Sequence, residues 1–203
     1  MAHIGSGLGR KEIKTFALLD QFYSVLGATK ATFWPIIQSV GTTLAPYGSG
    51  TDGVLLTAAT AIESIHDPFS HPGGVYSLKT DGTADADRIS AADNAAFSFA
   101  GAAFSVGAWV LMEEAVGSAR SIMSKYRTTA ATQREFDFRI SATGFPILEI
   151  YDESVPADWT STCLVNSVAP FVWRFVAATY SGTEGAAAIV QYLNGTAETP
   201  VAV

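Results

Sequence analysis

The sequence predicts an all-β protein, a two-sheet antiparallel sandwich preceded by an N-terminal helix. Three observations carry that prediction. The first is Phe104–Met112, FSVGAWVLM. Side chains alternate across a strand, so Phe104, Val106, Ala108, Val110 and Met112 share one face and Ser105, Gly107, Trp109 and Leu111 the other. One face is wholly apolar and the other small or aromatic, which suits a central strand with both sides at least partly covered. The second is Glu135–Ser141, EFDFRIS, where Phe136, Phe138 and Ile140 point inward and Glu135, Asp137 and Arg139 outward. The third is the texture after Phe33: short apolar runs punctuated by Gly, Thr and Ala at intervals of about ten residues.

Composition sets limits. Of 203 residues, 48% are apolar and 15% charged, enough for a sizeable core and too hydrophobic for disorder. The net charge of -7 argues against sequence-independent binding of nucleic acid, which needs Lys and Arg to neutralise phosphates. It also opposes approach to anionic membranes. Cys163 is the sole cysteine, which excludes an internal disulfide and a structural zinc site. No export signal is visible in MAHIGSGLGRKEIK, and the apolar run Phe16–Leu19 is too short to span a bilayer, so the expectation is no membrane insertion and synthesis as a soluble cytoplasmic product.

Taken in order, Met1–Gly9 reads as a flexible arm; its GSGLG lacks the spacing and the Lys-Ser/Thr pair of a phosphate loop. Ile13, Phe16, Leu19, Phe22, Tyr23 and Leu26 fall three and four apart, one stripe of a helix stopped at Gly27. That stripe either packs on its own domain or docks on another subunit. The division expected is therefore an arm and helix over 1–32 and a sandwich over 33–203. His66 and His71 flank Asp67 but lack a third metal ligand. Val75–Leu78 is a short strand. Beyond it, Asp81, Asp85 and Asp87 are candidate oxygen ligands for calcium (Ca2+), without EF-hand spacing and in a segment where Asp also serves turns. No other cofactor is indicated. Glu113–Ala119 is a loop and Ser121–Tyr126 a strand. Phe145–Tyr151 is a further strand, Asp152–Ser161 an acidic loop carrying Trp159, and Phe171–Tyr180 a second two-sided strand. Ser181–Gly185 is a turn. Ala187–Leu193 returns and closes at Asn194-Gly195. Trp34, Trp109 and Trp173 are expected in the core.

Several pieces in this order resemble a laminin-G-like domain of the concanavalin A-like jelly-roll superfamily. They are Phe33-Trp34-Pro35 with Gly41-Thr42-Thr43, then Tyr76-Ser77-Leu78 with Asp81-Gly82, then Phe104-Ser105-Val106 with Ala108-Trp109-Val110. Ile122–Tyr126 follows, and last Trp173–Ala177 with Thr179-Tyr180, leading to Gln191–Gly195. The resemblance covers roughly 33–195 and implies a two-sheet jelly-roll sandwich. The family continues past its Asn-Gly turn with further strands, and here eight residues follow; the expectation is either a truncated chain or a sandwich lacking its last strands, with an edge left for the helix or a neighbour to cover.

The superfamily includes glycoside hydrolases, whose retaining members resemble E-x-D-x-x-E on one strand and need two carboxyls about 5–5.5 Å apart. Glu135 and Asp137 share a face, but the next position on it is Arg139, so the general acid is missing. Charge pairing on a solvated outer face is the plainer reading. No nucleophile elbow, zinc motif or dinucleotide fingerprint is present, and an enzyme is not expected. For sugar binding, Trp159 with Asp152, Glu153 and Asp158 is the best candidate cluster. The layout suggests a non-catalytic structural or decoration protein of a virus particle, such as a phage capsid, located on the virion surface. Its partners would be other virion subunits, or copies of itself through the N-terminal helix, and cell-surface glycans. The alternative is a carbohydrate-binding or adhesion module of a longer extracellular protein, and the remote one a glycoside hydrolase.

Overall fold

The computed structural model describes residues 98–99, 101–114, 117–125, 134–152, 157–163, 166–183, 185–198 and 200–202, and short strands before them. The chain forms two compact units, Met1–Ala96 and Phe97–Val203. In the first unit the described strands are β1 (Thr32–Phe33), β2 (Thr43–Leu44), β3 (Tyr47–Gly48), β4 (Gly53–Leu55), β5 (Ala61–Glu63), β6 (Ser77–Lys79) and β7 (Ile89–Ala91). They pair antiparallel as β1 with β3, β2-β4-β7, and β5 with β6. The stripe Ile13, Phe16, Leu19, Phe22, Tyr23 and Leu26, the aspartates Asp81, Asp85 and Asp87, and Trp34 all lie outside the described residues. Of the boundary expected at 32/33, only Thr32–Phe33 is described.

The second unit carries β8 (Phe104–Val110), β9 (Arg120–Lys125), β10 (Phe136–Ile140), β11 (Pro146–Asp152), β12 (Ala157–Cys163), β13 (Arg174–Tyr180), β14 (Ile189–Leu193), β15 (Thr196–Ala197) and β16 (Pro200–Ala202). Its described strands make two antiparallel sheets, β16-β12-β11-β10-β9 and β15-β14-β13-β8. The only helical element among the described residues of this unit is a 3-10 turn at Ala186–Ala188.

The interior follows from period-two alternation. Phe136, Phe138 and Ile140 of β10 and Leu148 and Ile150 of β11 are buried from the five-stranded sheet. Val106 of β8, Val176, Ala178 and Tyr180 of β13, and Ile189 and Leu193 of β14 meet them in the same core from the four-stranded sheet. Each buried side chain of this size contributes about 1.5–3 kcal/mol by leaving water. At one end Phe99 stacks on Phe104 with ring centroids 4.1 Å apart, and Phe136 and Tyr180 tilt against Phe104. The alternation expected for β8 and β10 is therefore the alternation found.

Five expectations are corrected. β8, expected to be central, stands among the described residues at the end of its sheet, paired to β13. Its inward set is Phe104, Val106, Ala108 and Val110, so Trp109 falls on the outward face and is 41% exposed rather than core. Trp173 is half-buried and is not part of the core cluster. The expected acidic loop 152–161 is much shorter. β11 runs through Asp152 and β12 starts at Ala157, the two residues facing each other in register. Thr160, Thr162 and Trp159 are residue types that fit a pleated sheet, and the ladder along β11 overrides the turn-forming residues before them. The second two-sided strand begins at Arg174, because Phe171 takes a left-handed φ of 60° that no strand continues.

The described residues after Asn194-Gly195 extend both sheets. Asn194 and Gly195 have φ of 51° and 83°, the two positive values that a tight hairpin of matching twist requires. The Asn194 Oδ1 accepts the Phe175 N–H at 3.0 Å, and the Asn194 N–H donates to the Phe175 carbonyl at 2.7 Å. β15 pairs with β14, and β16 crosses to the other sheet and pairs with β12. Between them Glu198 is 8% exposed, and the Asn166 amide donates to its two carboxylate oxygens at 2.9 and 3.1 Å. The tail thus links both sheets.

Candidate functional site

The outward face of the five-stranded sheet is where polar chemistry collects. β10 and β11 pair so that Asp137 faces Glu149 and Arg139 faces Ile147. The hairpin between them fixes that register: the Ser141 N–H donates to the Phe145 carbonyl at 2.8 Å, and the Ser141 Oγ accepts the Phe145 N–H at 3.0 Å. Like charges directly opposite repel, and Arg139 resolves the conflict. Its Nη1 donates to Asp137 Oδ2 at 2.7 Å and to Glu149 Oε2 at 2.5 Å. The side chains of Arg139, Asp137 and Glu149 are 24%, 15% and 18% exposed. Water reaches them, yet they are far less screened than ordinary surface ions.

Two neighbours complete the row. The Tyr151 hydroxyl donates to Glu149 Oε2 at 2.7 Å, and the Arg134 guanidinium lies 5.1 Å from the Tyr151 ring centroid. On the other side the Ser121 hydroxyl donates to Asp137 Oδ1 at 2.6 Å. A bulge makes this possible: the β9–β10 register shifts between Phe138 and Arg139, so Ser121 stands opposite Arg139 while Ile122 and Met123 pack against the core.

Electrostatics follow from the contacts. Burial, the largest influence on Arg139, opposes its charge; the hydrogen bonds it donates to Asp137 and Glu149, with their charge, outweigh it and hold the guanidinium above its ordinary pKa. Burial raises the Tyr151 phenol, and the bond to Glu149 raises it further, so the hydroxyl stays protonated well beyond neutral pH.

For the expected sugar cluster only backbone register is described. Asp158 is the register partner of Tyr151, Trp159 that of Ile150, and Thr160 that of Glu149. Asp158 and Trp159 are consecutive positions of β12 rather than of a loop. Asp152 ends β11, and Glu153 lies outside the described residues. Glu135 and Asp137 take different partners. Glu135 precedes β10; its carboxylate meets Lys125 Nζ at 2.7 Å and accepts the Phe99 N–H at 3.1 Å. Among the described residues no group of three or more His, Cys, Asp or Glu is placed to hold a metal ion. Glu149 and Tyr151 were not singled out from the sequence; they sit in the apolar run PILEIY, and only the register brings them to Asp137.

The opposite sheet presents a different surface. Trp109 and its register partner Phe175 meet with ring centroids 5.6 Å apart at 51°. Phe171 and Val172, 74% and 44% exposed, stand near that end, where the Phe171 N–H donates to the Met112 carbonyl at 2.7 Å.

Two antiparallel sheets over one apolar core, with a polar row on an outer sheet face, define a lectin-type sandwich. The chain belongs to the concanavalin A-like lectin/glucanases superfamily, whose laminin-G-type family model matches residues 81–201. A search of curated proteins found no match, and neither did a search of solved structures. No helix among the described residues is long and apolar enough to cross a membrane.

Proposed function

We propose that this chain is a non-catalytic carbohydrate-binding or adhesion module that takes its glycan on the outward face of β9–β12. The observation that carries the reading is the Arg139 guanidinium fixed between Asp137 and Glu149, with Tyr151 beside it. Sugar sites combine a few well-placed polar groups with an aromatic surface, and this row has both on a rigid sheet. Membership of a lectin/glucanase superfamily supports carbohydrate as the ligand class. The engagement of Glu135 with Lys125 and the Phe99 N–H supports binding over hydrolysis.

The test is binding of the full chain to a glycan array and, for each hit, to Tyr151→Ala and Glu149→Gln variants. The reading expects loss of binding with cooperative melting retained, and no release of reducing sugar from the bound glycan. Unchanged binding by both variants would place the site elsewhere, and turnover would make the protein a hydrolase. Attachment to a larger assembly, a virus particle in the form we favour, is proposed for the stripe Ile13–Leu26. A chain lacking residues 1–30 should then keep its sandwich and its glycan but no longer join particles.

A further inference from the structure

Resting on that reading, we infer that the glycan is uncharged and hydroxyl-rich, and that anionic glycans are rejected at the same face. The argument is one of donors, acceptors and charge on Asp137, Arg139 and Glu149. A guanidinium carries five N–H donors in a rigid fork. Nη1, with two of them, is committed to the two carboxylates. Nε and Nη2 carry the other three, with the Tyr151 hydroxyl within reach of the guanidinium. Asp137 accepts one bond on each oxygen, from Ser121 and from Arg139. A carboxylate has about four acceptor sites in all, so it keeps capacity. Donors and acceptors therefore alternate along the row, held in place by each other.

A sugar hydroxyl both donates and accepts. A pair of neighbouring hydroxyls can take N–H bonds from Arg139 while giving their protons to a carboxylate. A sulfate or sugar carboxylate only accepts, and it is drawn by uncompensated positive charge. That charge is absent here. Asp137 and Glu149 outnumber Arg139, leaving a formal -1. Arg134, over the Tyr151 ring, brings the row to neutrality and leaves no uncompensated positive charge. The partial burial of the three side chains keeps salt from erasing this balance. The net charge of -7 on the chain adds a repulsive field at longer range.

The experiment uses the full chain on an array that carries neutral, sialylated, sulfated and uronate-containing glycans, at low and at high salt. The inference expects the hits among neutral glycans, with affinities that change less than about threefold with salt. For the strongest hit, Asp137→Asn and Glu149→Gln should each weaken binding about tenfold, which corresponds to about 1.4 kcal/mol. Sulfated or sialylated hits that fade with salt and are lost in Arg139→Gln would overturn the ligand class while leaving the site reading intact. Hits of any class that are indifferent to Asp137, Arg139 and Glu149 would overturn the site reading itself. The wild-type array result stands without any variant, so a substitution that fails to fold leaves the charge preference decided.

Discussion

The clamp on Arg139 makes a quantitative prediction, best drawn from a double-mutant cycle between Arg139 and Glu149. Nη1 sits 2.5 Å from Glu149 Oε2 and 2.7 Å from Asp137 Oδ2, with the three side chains between 15% and 24% exposed. Two charges about 4 Å apart attract by about 4 kcal/mol at the effective dielectric near a protein surface, before the cost of drying them. Desolvation and fixing of the side chains offset most of that, and charge-assisted hydrogen bonds are worth about 1.5–3 kcal/mol net. Arg139→Ala also leaves Asp137 opposite Glu149 in register, two like charges with nothing between them. The single change should therefore destabilise by about 2–4 kcal/mol. Glu149→Ala should cost less, because Asp137 still holds the guanidinium, and combining the two should reveal a coupling of about 1–2 kcal/mol. The assay is urea unfolding of the four proteins at neutral pH and low salt. A coupling below about 0.5 kcal/mol is the range of exposed surface pairs; it would mean the guanidinium is not clamped, and the reasoning about preorganised donors would fail.

Other outcomes follow from the same contacts. Phe138 is fully buried, so Phe138→Ala should cost about 3–5 kcal/mol in the same unfolding assay. At Gly182, φ is 80° and an added Cβ would lie 2.7 Å from the Gly101 carbonyl oxygen and 2.8 Å from the Ala103 nitrogen, so Gly182→Ala should destabilise by about 2–4 kcal/mol. At Gly195, φ is 83° but nothing lies within 4 Å, so Gly195→Ala should cost only about 1 kcal/mol, and equal costs at the two sites would refute the close approach. The raised Tyr151 phenol binds its proton more tightly folded than unfolded. Its contribution is complete below the unfolded value of about 10 and is lost as pH rises toward the folded value. Stability should fall above that pH, and Tyr151→Phe should flatten the fall when melting is followed across the alkaline range.

The sequence showed some layers of this structure and hid others for identifiable reasons. EFDFRIS could be read because its two faces differ in kind, apolar against charged. FSVGAWVLM could not be read fully, since both its faces are apolar or small; alternation divides Trp109 from Val106 but does not say which is inside. Register is the larger gap. Asp137 and Glu149 meet because the hairpin at Ser141–Phe145 sets β10 against β11, and a slip of one residue would turn every side chain to the other face. No local pattern encodes that alignment. The acidic stretch after Tyr151 misled for a related reason: Asp, Glu, Ser and Pro signal a turn, and the strand that begins at Ala157 is recognisable only by its ladder to β11. The tail looked too short to contribute, yet two residues suffice for β15 and three for β16, because each extends a sheet that already exists.

The central claim is that a glycan lies across β9–β12 on their outward face. Backbone amide chemical shifts of the labelled full chain, recorded during titration with the strongest neutral glycan from the array, test it most directly. The account predicts that the shifts concentrate at Ser121, Asp137, Arg139, Glu149 and Tyr151 and along β12, while Trp109, Phe171 and Phe175 stay still. Shifts confined to Trp109, Phe171 and Phe175 would contradict it and move the binding surface to the other sheet.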